Sequence, residues 1–186
     1  VSAGFDGLVY EDVLPLRWSR QDAPADGPVL AGINAENAEV LVADASLADQ
    51  RLPREKAHDE DHALVEDLQR VEFKLNVLIQ LVARLLKRDD ATPATRSVRL
   101  YATGVEWLDG DAVPQAGDGL VTLHVSRHFP QPLVLPGRFV PPQVDAHGRW
   151  SRFAFIGLAP PVEEMLARLI FRQHRRAIAG TRTPRA

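Results

Sequence analysis

His58 and His62 stand four apart in the stretch HDEDH. On a helix that spacing puts both imidazoles on one face, as a zinc site requires. The acid between them is not placed as in HExxH, because Glu60 sits in the middle rather than beside the first histidine. Asp59, Glu60 and Asp61 in the first turn of a helix would oppose the positive end of its dipole, which explains the same residues without a metal. His124 and His128 are also four apart, with Arg127 between them and no carboxylate close in sequence, and they read as one face of a strand. Asp109 and Asp111, in LDGD, are paired carboxylates of the kind that do acid–base work, yet DGD is foremost a turn. Arg168, Arg172, His174, Arg175 and Arg176 gather near the C-terminus. They suit either the negative end of a helix or an anionic partner, and both readings stand. The chain lacks GxSxG, GxxxxGK[ST] and GxGxxG, and it has no cysteine. Nucleophile-elbow, phosphate-loop and thiolate chemistry are therefore not expected. The sequence points to no catalytic residue, no metal site and no cofactor.

Charge is distributed unevenly over the 186 residues. Residues 1–95 carry 10 Lys and Arg against 18 Asp and Glu, whereas residues 96–186 carry 12 against 7. The basic residues of the second half are all arginine, which favours bidentate contact with anions. The halves could equally complement one another within an oligomer. The overall balance is acidic, at −3, and no aromatic stacking platform accompanies the arginines, so no nucleic acid is expected. No apolar run reaches the 18 residues of a membrane span, and the first residues do not read as a signal peptide. A cytoplasmic protein is the expectation.

Residues 8–18 are rich in β-branched and aromatic types and predict a strand, with Pro15 at an edge or bend. Residues 21–28 read as a loop, and Asn34 as the cap of a helix that starts at Ala35 and ends near Pro53. A longer helix is predicted from about Asp59 to Arg88. After Thr95 the pattern changes to alternation. Strands are predicted over residues 97–108, 120–129, 133–140 and 150–158, separated by Pro/Gly turns. In residues 120–126, Val121, Leu123 and Val125 share one face. A last helix opens at Pro160 and Pro161, buries Val162, Met165, Leu166, Leu169 and Ile170, and ends at Gly180. Short, closely spaced strands imply a small barrel or sandwich.

The long helix carries a heptad seam: Leu64, Leu68, Val71, Leu75, Leu78, Val82 and Leu85. Val65, Ile79 and Leu86 run beside it, with Leu81 on the other flank. Such a broad stripe fits a bundle of three or four helices better than a two-stranded coiled coil.

The strands after residue 97 together with the closing helix resemble a PilZ domain. The residues that carry the likeness are LYATGVEW at 100–107, GDGLVTLHV at 117–125, GRFV at 137–140, FAFIGL at 153–158 and the helix at 163–176. The resemblance implies a small β-barrel, with residues 8–18 as its first strand, and a non-enzymatic protein of bacterial signalling in motility, adhesion or virulence. It also implies cyclic di-GMP as the family ligand, gripped by an RxxxR motif and by DxSxxG. Here the Asp position is Arg99, the Ser position is Tyr101, and Gly104 is kept. Arg17 and Arg20, like Arg51 and Arg54, are three apart rather than four.

The resulting expectation is an α+β, β-rich fold: a small antiparallel PilZ-like barrel with a C-terminal helix and an inserted long helix that forms a multi-helix oligomeric bundle. The barrel takes residues 1–20 and 96–180, the oligomerisation element 34–90, and a flexible tail 181–186. The assembly expected is a tetramer, with a dimer second, acting as an adaptor for signalling proteins and not binding cyclic di-GMP through the family site. The alternative is a cyclic di-GMP receptor that uses other arginines, such as Arg17, Arg20 and Arg99.

Overall fold

The computed structural model describes residues 5–49, 67, 68, 70, 71, 73–75, 77, 78, 82, 93–108, 113–126 and 131–181. Alternating apolar residues make six strands: β1 (Tyr10–Arg20), β2 (Thr95–Leu100), β3 (Gly104–Leu108), β4 (Gly117–Leu123), β5 (Leu133–Asp145) and β6 (Gly148–Phe155). They pair antiparallel throughout, in the order β1-β2-β3-β6-β5-β4, and β4 returns to β1 to close a barrel. Closure removes free sheet edges. It also brings strands close at the corners. A Cβ on Gly137 would lie 2.0 Å from the Ala154 carbonyl oxygen, so only glycine fits where β5 turns past β6. Pro141 and Pro142, which donate no N–H, coincide with the register shift between Val140 and Gln143.

The barrel interior is filled by Leu14 and Leu16 of β1, Val98 and Leu100 of β2, Val105 and Trp107 of β3, Val121 and Leu123 of β4, Leu133, Leu135 and Phe139 of β5, and Phe153 of β6. Phe139 stacks edge-on with Trp18 and with Phe153.

Two helices cover this body. The first, α1 (Gly27–Asp49), is longer than the sequence predicts. Pro28 opens α1 rather than belonging to a loop, because a proline N–H is not needed in a first turn, and the Asp26 carbonyl accepts from Leu30 N. Asn34 therefore does not cap the helix but lies inside it. Its side chain donates to the carbonyls of Leu30 and Gly157 and accepts from Ala159 N. One turn on, buried Asn37 accepts from Val134 N and donates to Val134 O, as a neighbouring strand would. These two amides fasten α1 to the barrel by completing backbone hydrogen bonds.

The second helix, α2 (Pro160–Thr181), starts at the paired prolines as expected and runs through Gly180. Its predicted stripe is buried at Val162, Leu166, Leu169 and Ile170, against Val40, Leu41 and Ala43 of α1 and the barrel. Arg172 forms an ion pair with Asp44 of α1, and His174 Nδ1 meets the Val9 carbonyl. The described residues between 67 and 82 are helical.

Candidate functional site

The inward residues of β2, β3 and β6 leave a second set of side chains on the outer face of the barrel. With Val98 and Leu100 inside, Arg99 and Tyr101 point outward; with Val105 and Trp107 inside, Glu106 does; with Phe153 inside, Arg152 does. The strand register then aligns Glu11, Arg99, Glu106 and Arg152 in one row across four strands. Opposite charges alternate at directly opposed positions, which stabilises each pairing.

Arg99 is held on three sides. Its Nε donates to Glu11 at 3.0 Å, an NH group donates to Asp145 at 2.9 Å, and the guanidinium lies 3.9 Å from the centre of the Trp150 ring. Burial works against its charge, but the bonds to Asp145 and Glu11 outweigh that and raise its pKa above the ordinary arginine value. Asp145 is held well below the usual carboxylate range. The Trp150 indole N–H acts most strongly on it, though without full hydrogen-bond geometry; His147 N, donating at 2.7 Å, and Arg99 add to the effect.

Arg152 Nε donates to Glu106 at 3.1 Å, and both side chains are only 4% exposed. Tyr101 OH approaches the other Glu106 oxygen at 3.4 Å. Burial first, and the Glu106 charge second, push the Tyr101 hydroxyl pKa up. Phe5 covers this group. Its ring is 5.5 Å from that of Tyr101 and 5.0 Å below the Arg152 guanidinium. A Cβ on Gly104 would meet the Phe5 ring at 2.3 Å, so the glycine lets the ring rest on the strand.

The three positions of the sequence motif, Arg99, Tyr101 and Gly104, thus do lie together on one surface, and that surface is internally paired. Arg17 and Arg20 do not join it. Arg17 is opposite Thr122 and Arg20 opposite Gly119, and Arg17 stands six residues along β1 from the Glu11 that pairs with Arg99. That is about 20 Å of strand. Sequence reasoning did not find Phe5, Glu106, Asp145, Trp150 and Arg152. The available signal was a charged residue flanked by inward apolar ones, as in VEW.

His124 is not on a strand, because β4 ends at Leu123. The chain leaves the sheet there with His124 N bonded to the Pro15 carbonyl. His58, His62, Asp109, Asp111 and His128 lie outside the described residues, as do Arg51 and Arg54. Among the described residues no three His, Asp or Glu side chains are grouped to hold a metal ion. Of the α2 cations, Arg168 pairs with Glu164 at 2.6 Å, Arg172 with Asp44, and Arg175 lies over Phe171.

A second surface belongs to the middle helix. Leu68, Val71, Leu75, Leu78 and Val82 are between 53% and 70% exposed. Phe73 and Val77 of the same helix pack on the core. At about 100° per residue these two fall on the side opposite the seam, so the helix is apolar on both sides. Leu64 and Leu85 lie outside the described residues.

Comparison with known proteins gives these surfaces a family. No curated protein matches. Among solved structures, a pathogenic protein from Xanthomonas campestris aligns over 94% of this chain and 91% of its own, at 26% identity and a TM-score of 0.68. It is described as a tetrameric PilZ domain self-assembled via an unusual helical bundle. The PilZ domain of YcgR from Escherichia coli, solved with cyclic di-GMP, aligns over 52% of this chain and 85% of its own, at 18% identity and a TM-score of 0.38. The family model for the atypical PilZ domain, described as a cyclic di-GMP receptor, matches residues 41–183. With more than half of its length matched and a closed six-stranded barrel flanked by helices, the chain belongs to the atypical PilZ family, a family of receptors and not of enzymes.

Proposed function

We propose that this protein is an oligomeric adaptor of bacterial signalling, in motility, adhesion or virulence, that assembles through its middle helix as a tetramer and recruits signalling proteins through its barrel. The observation that carries this reading is the two-sided helix: Phe73 and Val77 are spent on the chain's own core, while Leu68, Val71, Leu75, Leu78 and Val82 face solvent. Leaving large aliphatic side chains in water costs roughly 1.5–3 kcal/mol each, so an uncovered seam forfeits on the order of 10 kcal/mol. The tetrameric helical bundle described for the Xanthomonas protein supports the same use of this helix. In this reading residues 1–20 and 96–180 form the barrel unit, residues 34–90 the oligomerisation element, and residues 181–186 a tail. Among the described residues no helix is long and apolar enough to cross a membrane, in keeping with a cytoplasmic site of action. Four copies would multiply weak contacts with a partner through effective concentration.

We further propose that cyclic di-GMP is not bound through the family positions. Arg99 is occupied by Glu11, Asp145 and Trp150, and Tyr101 and Phe5 fill the space beside Gly104. The alternative, a receptor with a relocated arginine site, is favoured by the family description. Isothermal titration of the purified protein with cyclic di-GMP separates the two. Absence of heat at high ligand concentration is expected; micromolar or tighter binding would establish the receptor instead.

A further inference from the structure

The Arg152–Glu106 pair is unusual for where it is buried. It faces outward from the barrel, yet both side chains are only 4% exposed. The cover includes the ring of Phe5, at the end of a strap with no regular structure. Asp6, Gly7 and Leu8 are exposed, Gly7 takes φ 110°, and the sheet begins only at Tyr10. The Val9 carbonyl is tied to His174. The Phe5 ring is a second point at which the strap meets the rest of the chain.

The ring sits in a shaped place. Gly104 provides its floor, Tyr101 one wall and the Arg152 guanidinium the roof. A guanidinium over a ring and a tilted aromatic neighbour are both attractive to a flat π-face. The cations of the patch are already compensated: Arg152 by Glu106, and Arg99 by Glu11 and Asp145. Electrostatics therefore favour an uncharged flat group over a phosphate.

We propose that this patch is a cradle for an aromatic side chain, filled in the isolated chain by its own Phe5 and open to an aromatic side chain of a partner protein segment when the strap of residues 5–9 lifts. The proposal rests on the reading that the motif positions here no longer hold a nucleotide. Phe5 acts as a tethered competitor, so an incoming ring is bound only by the fraction of molecules with the strap raised, and its apparent affinity falls by that fraction.

The test uses the full chain and N-acetyl-L-phenylalaninamide as the probe, with the amide signals of Tyr101, Gly104 and Arg152 followed by NMR. Phe5→Ala removes the competitor and is expected to strengthen the apparent affinity about tenfold or more, with shifts confined to those residues. No shifts in the folded variant, or equal affinity in both chains, would overturn the proposal. Phe5→Leu keeps most of the bulk without the ring face and carries the test should the alanine variant fail to fold; its affinity for the probe must also exceed that of the parent chain. Cyclic di-GMP is titrated in parallel. Binding to the parent chain would refute the functional reading above while the probe result still judges the cradle. Binding to Phe5→Ala alone would overturn the choice of an aromatic side chain as the occupant.

Discussion

At the scale of single residues, the outer face of β2, β3 and β6 shows how one substitution changes the meaning of its neighbours. Arg99 sits where the family resemblance implies an acidic acceptor, and Glu11 and Asp145 turn it into the centre of an ion-pair network. Converting Arg99→Asp with Tyr101→Ser would place a carboxylate opposite Glu11 and leave Asp145 without its cation. No tight cyclic di-GMP binding is expected from that double variant; a sub-micromolar affinity by titration calorimetry would show an intact pocket beneath. Asp145 also makes a pH prediction. Its pKa is depressed in the folded chain, so its contribution to stability is present above the unfolded aspartate value of about 4 and is lost as pH falls through the folded value. Asp145→Asn is expected to lower the thermal midpoint at neutral pH and to flatten its fall below about pH 4. Equal slopes in both chains would mean that other carboxylates govern acid unfolding. For the buried pair, Glu106→Ala removes the carboxylate that the buried Arg152 guanidinium donates to, and a loss of about 3–5 kcal/mol in urea unfolding is expected. Replacing both partners by apolar residues of similar volume should cost less than that.

At the scale of elements, α1 depends on two amides more than on its own amphipathicity. Asn37 completes both hydrogen bonds of Val134 on β5, and Asn34 does the same for the turn that opens α2. Asn37→Ala orphans a buried donor and acceptor together, so a destabilisation of about 2–3 kcal/mol by chemical denaturation is expected. A change within half a kcal/mol would mean that water replaces the amide. Local patterns place the strand regions and α2 because alternation and paired prolines are local signals, but the single strand expected over residues 97–108 is two, β2 and β3, with a turn between them. The start of α1 departs from the local reading for the same reason: QDAPADGP has the composition of a loop, yet Pro28 fits the first turn of a helix.

At the scale of the whole molecule, the middle helix presents two apolar sides. Phe73 and Val77 hold it to its own chain, and the exposed seam on its other side is the surface proposed above for self-association. Leu75→Asp with Leu78→Asp places two charges in that seam while sparing the two anchors. The mass by light scattering should fall to that of one chain with the barrel still folded by circular dichroism. An unchanged mass would remove the seam from the assembly.

The family resemblance picks out the motif positions Arg99, Tyr101 and Gly104, and periodicity alone determined the elements: a heptad pattern, short alternating strands and a closing helix. These are legible because side-chain direction along a helix or strand follows from spacing, whatever lies nearby. Tertiary structure decided what the residues do. The row Glu11–Arg99–Glu106–Arg152 draws on four strands, Asn37 reaches Val134 nearly a hundred positions away, and Phe5 comes to rest on Gly104. Such partners are set by register and barrel closure, which depend on the packing of the whole core and leave no trace in local spacing.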